Sequence, residues 1–300
     1  MQTYIAPVAD HTFDELANRI SEVGIAMLIG GLDTGKTTVA LSAARSALAS
    51  GRTPVLVDAD VGNSTVGPPA CVGMKAFRSE ADFEALDRPD GLHFVGTITP
   101  SRLVLQQVVA TAAMVDRARE LGDLIIVDTS AVVSGVAGET LKYHKAELCR
   151  PEIIVALQRG GEMEPVVGML RRFLGAKVIT APTDPSVVPV SPEARAHRRS
   201  EGFAAALRSP LETWRVRPTV FAPTLPMGLD LDRLQGVLVG VQDSKGGCLG
   251  IGVLDYEGDS LRVMTNVGEG MTGLRLGSMR LDVDTMQASF ISLREVIFGI

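Results

Sequence analysis

Through its first two thirds the chain alternates short, almost wholly apolar runs with longer stretches whose apolar residues recur at helical spacing. The runs 25–29 (IAMLI), 54–58 (PVLVD), 91–97 (GLHFVGT), 124–128 (LIIVD), 153–157 (IIVAL) and 176–180 (AKVIT) read as strands. Most of these carry no polar alternation, as expected of parallel strands covered on both faces. Helices are predicted over 39–48, over 100–121, in GETLKYHKAEL and over 163–174. Strand and helix alternating at this spacing predict an α/β fold, a doubly wound parallel sheet with helices on both faces. A short helix over 12–20, with Thr12 and Glu15 in capping-box spacing, leads into the first strand.

The pattern changes near Leu211. GVLVGVQD, CLGIGVLDYEG, LRVMTNV and MTGLRLGSMRLD are short β-rich runs separated by Asp, Gly and Ser turns. Three segments are therefore expected: a helical lead-in over 1–23, a main α/β domain over 24–209 and a separate β-rich domain over 210–300. Just before the change, SPEARAHRRSEGFAAAL (191–207) reads as a helix opened by Ser-Pro.

Composition narrows the picture. Of the 300 residues 46% are hydrophobic, yet the longest apolar stretch, 103–115, is broken by Gln106 and Gln107. It falls short of the roughly 18 residues that a membrane-spanning helix needs. The N-terminal residues have neither a basic start nor an apolar core, so the expectation is a cytoplasmic protein without membrane contact. Cys71, Cys149 and Cys248 show no metal-ligand spacing and read as reduced thiols, as the four histidines likewise suggest no metal site. The net charge of −6 excludes coating of nucleic acid by bulk attraction, but residues 145–217 alone carry +4. A localised track for a polyanion is compatible with that asymmetry.

The chemistry begins where the first strand ends. Gly30, Gly31, Leu32, Asp33, Thr34, Gly35, Lys36, Thr37 and Thr38 satisfy the pattern G-x-x-x-x-G-K-[ST]. Here backbone N–H groups surround phosphates, the lysine reaches the outer ones and the hydroxyl binds Mg²⁺. Its position between strand and helix is what separates this motif from a chance match in a surface turn. The next strand ends in Asp58 and Asp60 and leads into a rigid loop with Gly62, Asn63, Gly67, Pro68 and Pro69. It lies at the edge where open α/β sheets hold ligands. The expectation is that one of the two aspartates alone faces the nucleotide directly. Asp128 ends a third strand beside Thr129, where an acid either orders Mg²⁺ or fixes its own loop. Gln158 and Arg159 end a fourth strand beside the nucleotide position. On the 191–207 helix, Arg195, Arg199 and Phe203 share one face with Arg198 close by. That face is either merely solvated or a lid bringing guanidinium groups to a transferring phosphoryl group.

GGLDTGKTT, VDADVGNSTVGPP, VDTSAVVSG, PEIIVALQR, the SPEARAHRRSEGF helix and GLRLGSMRLD, taken in order, resemble the polynucleotide 5′-hydroxyl kinases related to the pre-mRNA cleavage-factor kinase. The resemblance spans about residues 24–285. It implies transfer of the γ-phosphate of ATP, with Mg²⁺, to the 5′-hydroxyl of RNA or DNA. It also implies that Lys36 and Thr37 serve the phosphates and the metal, Asp60 the acceptor hydroxyl and Arg195 with Arg199 the lid. Asn63 stands where the family usually has glutamine. Thr129-Ser130-Ala131 stands where it has Thr-x-Gly, and the chain's single tryptophan is Trp214. Those departures leave open how an acceptor base is gripped. They also keep two other readings: a nucleotide-binding scaffold whose β-rich domain recruits a protein partner, and a regulatory phosphate-loop NTPase.

Overall fold

The computed structural model describes residues 12–258 and 260–298. The expected lead-in therefore lies in part outside the described residues. Its remainder is α1 (Phe13–Ser21), whose capping box joins Thr12 and Glu15 as their spacing requires.

A sheet of seven strands forms the first half. The strands are β1 (Ile25–Gly30), β2 (Pro54–Ala59), β3 (Cys71–Ala76), β4 (Gly91–Phe94), β5 (Leu124–Thr129), β6 (Ile153–Gln158) and β7 (Val178–Pro182). Their order is β4-β3-β2-β5-β1-β6-β7. From β2 to β7 all neighbours run parallel. On the other side β3 and β4 add an antiparallel edge, so the sheet is mixed where the sequence pattern predicts a parallel one. The reason is local. No strand is predicted over Cys71–Ala76, since CVGMKA carries Gly73 and Lys75 and shows no continuous apolar run. Gly73 is required there, since a Cβ would stand 2.2 Å from the Val66 carbonyl oxygen.

Alternation along the central strands feeds two cores. Met27 and Ile29 face α3 (Val104–Ala118), α4 (Gly135–Cys149) and α5 (Glu164–Leu174). Ala26 and Leu28 face α1 and α2 (Lys36–Ala49). Register also sets the chemistry: Asp128 of β5 pairs with Leu28 of β1 on one side and with Asp58 of β2 on the other. Two carboxylates thus meet at the C-terminal edge of the sheet.

After β7 comes α6 (Pro192–Ala206), then β8 (Glu212–Arg215), β9 (Phe221–Ala222), β10 (Val237–Gln242), β11 (Cys248–Glu257), β12 (Ser260–Thr265), β13 (Gly273–Asp282) and β14 (Gln287–Phe290), with α7 (Leu293–Phe298) last. These strands form the second sheet, in the order β14-β13-β10-β11-β12-β8, with β9 alongside β13. It has one apolar cluster of its own and a second that includes residues of the first half. Leu238, Ile251 and Val253 on its inner face share one apolar cluster with Cys71, Phe94 and Phe203 of the first half. Contact is backbone-close: Ser278 N–H donates to the Gly96 carbonyl at 2.8 Å, and a Cβ on Gly240 would stand 2.4 Å from the Phe94 ring. The three cysteines are free thiols. Among the described residues no helix is long and apolar enough to cross a membrane.

Candidate active site

The phosphate loop leaves β1 at Gly30, where a side chain has no room: a Cβ would stand 2.6 Å from the Leu157 carbonyl oxygen. Gly35 enters α2 at φ 87, the left-handed region open to glycine. Arg159 fixes the outside of the loop by donating to the carbonyl oxygens of Leu32, at 2.8 Å, and Asp33. The Lys36 ammonium lies inside and donates to the Gly31 carbonyl at 2.7 Å. Burial lowers its pKa, and the nearby Asp128, Asp60 and Asp33 carboxylates oppose that shift. Lys36, Thr37 and Thr38 form the first turn of α2, whose free N–H groups make an anion site.

Thr37 donates through Oγ1 to Asp128 Oδ2 at 2.5 Å. The other carboxylate oxygen, Oδ1, is buried with no hydrogen-bond partner. Burial raises the Asp128 pKa against the pull of Lys36 and the Thr37 hydroxyl.

Asp58 and Asp60 divide although residues two apart on a strand share a face: β2 ends at Ala59, and Asp60 already belongs to the loop. Asp58 is buried and accepts N–H donors from Asp60 at 3.0 Å, Thr65 at 2.5 Å and Val66 at 3.0 Å. It builds the loop and is not exposed to an acceptor. Burial, with the Asp128 and Asp60 charges, pushes its pKa up to about 7 against the N–H bonds of Val66 and Asp60. Asp60 lines the cleft; its Oδ1 accepts from Gly62 N–H at 3.1 Å and Asn63 N–H at 3.2 Å.

Other expected residues do not reach the cleft. Gly62 is buried, and a Cβ there would stand 2.6 Å from the Ile98 carbonyl oxygen. Pro68 lines the adjoining groove instead. Thr129 is buried, its hydroxyl donating to the Leu28 carbonyl at 2.8 Å. Gln158 organises the start of α5, accepting from Met163 N–H at 3.2 Å and donating to Glu164 at 3.0 Å. Trp214 lies on β8 and packs on Gly268, in the second sheet.

Helix α6 closes the cleft from above. Ser191 caps it by accepting from Ala194 N–H at 3.2 Å. Arg195 forms an ion pair with Asp33 Oδ2, which also accepts Val190 N–H at 3.1 Å. Lid and phosphate loop are thereby latched through one carboxylate. Arg198 and Arg199 line the cleft, about 370 Å³ in volume, with Lys36, Thr37, Asp60 and Asn63. Val187, Val188 and Val190 give it an aliphatic wall.

Two residues absent from the sequence reading lie beneath this edge. Lys142 and Lys145 of α4 are both fully buried. Lys142 Nζ donates to Thr129 Oγ1 at 2.8 Å and to the Ser130 carbonyl oxygen. Lys145 Nζ donates to the Ala59 carbonyl at 3.2 Å. Burial holds the Lys142 pKa well below the ordinary lysine range and brings that of Lys145 to about 8. A signal existed: at i, i+3 spacing both lysines fall in the stripe of Leu141, Ala146 and Cys149, the face of α4 that is buried.

Comparison with known proteins gives a consistent result. Residues 30–205 match the family described as mRNA cleavage and polyadenylation factor CLP1 P-loop. The polyribonucleotide 5′-hydroxyl-kinase of Pyrococcus horikoshii is 25% identical, over 94% of this chain and 92% of its own length. That of Methanocaldococcus jannaschii is 27% identical, over 85% and 86%. Among solved structures, a wild-type Clp1p–Pcf11p complex superposes with a TM-score of 0.69 at 14% identity, covering 90% of this chain and 80% of that one. The likeness to that complex carries the fold.

Proposed function

The chain belongs to the mRNA cleavage and polyadenylation factor CLP1 P-loop family, and from that premise we propose how it works as an ATP-dependent kinase of polynucleotide 5′-hydroxyl ends. The observation that carries the reading is the convergence of Lys36, Thr37, Asp60, Arg198 and Arg199 on one cleft. A phosphate-binding loop alone holds a nucleotide. An aspartate facing it, under a lid bearing arginines, supplies what transfer to a hydroxyl needs.

ATP lies with its β- and γ-phosphates on the N-terminal turn of α2, and Lys36 leaves its Gly31 bond for the phosphate oxygens. The aliphatic wall of the cleft receives the nucleobase. Asp60 orients the 5′-hydroxyl of the acceptor, RNA by the chemistry named in its relatives. The 5′ oxygen bonds to the γ-phosphorus as the bond to the ADP oxygen breaks, and the hydroxyl proton passes late to Asp60. The loose transition state places charge on the peripheral oxygens, where Arg198 and Arg199 are free to meet it. Arg195 holds the lid on Asp33.

The donor set fits Mg²⁺. Asp128 Oδ1 is a buried oxygen without a partner, next to the Thr37 hydroxyl, and both are hard oxygen donors. Among the described residues no cluster of three or more carboxylate, imidazole or thiol groups is arranged to hold a metal by itself. This suits an ion carried in with the nucleotide and held by Thr37 and Asp128, with Asp60 nearby. When bound, it neutralises charge on the β- and γ-phosphate oxygens.

Incubation with a 5′-hydroxyl RNA oligonucleotide, γ-labelled ATP and Mg²⁺ tests the reading. The expected result is label at the 5′ end. Failure to label either RNA or DNA ends across a range of Mg²⁺ concentrations refutes it.

A further inference from the structure

Lys142 and Lys145 raise a question that stability does not answer. An ammonium group withdrawn from water costs several kcal/mol, and an apolar side chain of similar volume is often at least as stable in its place. Yet α4 sends two of them into the interior, and both end at the edge where the chemistry lies.

Their bonds tie the three central strands together. Lys142 binds Thr129, the last residue of β5, and Ser130 just beyond it, the two residues that follow Asp128 in the chain. Through the Thr129 hydroxyl this tie continues to Leu28 on β1, two residues before the phosphate loop opens at Gly30. Lys145 binds the carbonyl of Ala59, the residue between Asp58 and Asp60 at the end of β2. One helix face thus anchors the strand ends presenting the phosphate loop, the Asp128 carboxylate and Asp60. Three buried or partly buried aspartates, Asp58, Asp60 and Asp128, lie opposite three buried lysines, Lys36, Lys142 and Lys145.

We infer that Lys142 and Lys145 are positioning residues for phosphoryl transfer, holding Asp128 and Asp60 in register with the phosphate loop. Neither lysine touches substrate; each acts through the backbone or hydroxyl it binds. The inference rests on the kinase reading above.

The test uses Lys142→Met and Lys145→Met, which keep the volume and remove the donor, with Lys142→Gln and Lys145→Gln as variants that keep an N–H donor without the charge. Turnover per folded molecule and KM for ATP are measured well below each variant's Tm, with wild type in parallel. Misplacement of reacting groups by about 1 Å costs on the order of a hundredfold in rate. The Met variants should therefore lose about a hundredfold in kcat with KM for ATP within about twofold, and the Gln variants should recover part of the loss. Wild-type kcat in folded Met variants overturns the inference. So does a loss confined to Tm, or failure of both Met and Gln variants to fold, since either assigns the lysines to the fold alone. If the wild type itself labels no 5′ end, the kinase reading falls and this inference with it.

Discussion

The two sheets of this protein are built to different rules. The first half buries Lys36, Asp58, Lys75, Asp128, Lys142 and Lys145, whereas the second buries only Ser260, Thr265 and Ser278 among its described polar side chains. Its core is otherwise apolar, with glycines drawn against Phe94 at the contact with the first half. A buried charge costs stability unless paired and hydrogen-bonded. Apart from Lys75, which donates to the Arg88 carbonyl, that cost is concentrated at one strand edge beside a phosphate loop, as a site for phosphoryl transfer requires. The second sheet has no such task and serves as the surface on which the C-terminal half of α6 is seated through Phe203 and Leu207.

The contrast can be tested most strongly at Lys36. Lys36→Ala should lower 5′ labelling by about a thousandfold, the range for loss of a preorganised charge-stabilising donor, without lowering Tm. A parallel loss of stability would break the contrast, because the buried charge would then be holding the fold. Arg199→Ala should reduce kcat by about a hundredfold while calorimetric ATP affinity is kept, as expected for a group acting on the transition state. An equal loss of affinity would return Arg199 to ground-state binding.

In the second sheet the expected signature is the reverse. Gly240→Val forces a side chain into the Phe94 ring and should cost about 1–3 kcal/mol by overpacking, read from denaturant unfolding. Turnover at low temperature should stay within about twofold. The smallest effect concerns the latch. Arg195→Ala and Asp33→Ala should each raise KM for ATP about fivefold, equivalent to ~1 kcal/mol. The double variant should be no worse than either single one, since both remove the same ion pair. Additive losses would show that the two residues act separately.

The donor site was legible early because it is local. Gly30 to Thr38 lie on consecutive residues between a strand and a helix, so spacing alone specifies where N–H groups, ammonium and hydroxyl must be. The separate roles of Asp58 and Asp60 were not legible: residues two apart on a strand share a face, and only the end of β2 at Ala59, with the bonds from Thr65 and Val66, makes Asp58 the buried one. Gln158 and Arg159 sit at the expected strand end, yet one shapes the start of α5 and the other braces the loop. Strand β3 escaped because a strand containing glycine and lysine lacks the apolar signature of its neighbours.

The sequence by itself determined the alternation that builds the central sheet, the phosphate loop, the strand-end aspartates and the arginine-bearing helix. Each is encoded within a few neighbouring residues, through periodicity or fixed spacing. Tertiary structure alone decided that Arg195 meets Asp33 from 162 positions away, that Lys145 reaches Ala59 across 86, and that the second sheet shares a core with the first. The physical reason is that these contacts depend on strand order and on which helix face turns inward, and neither is written in any single segment.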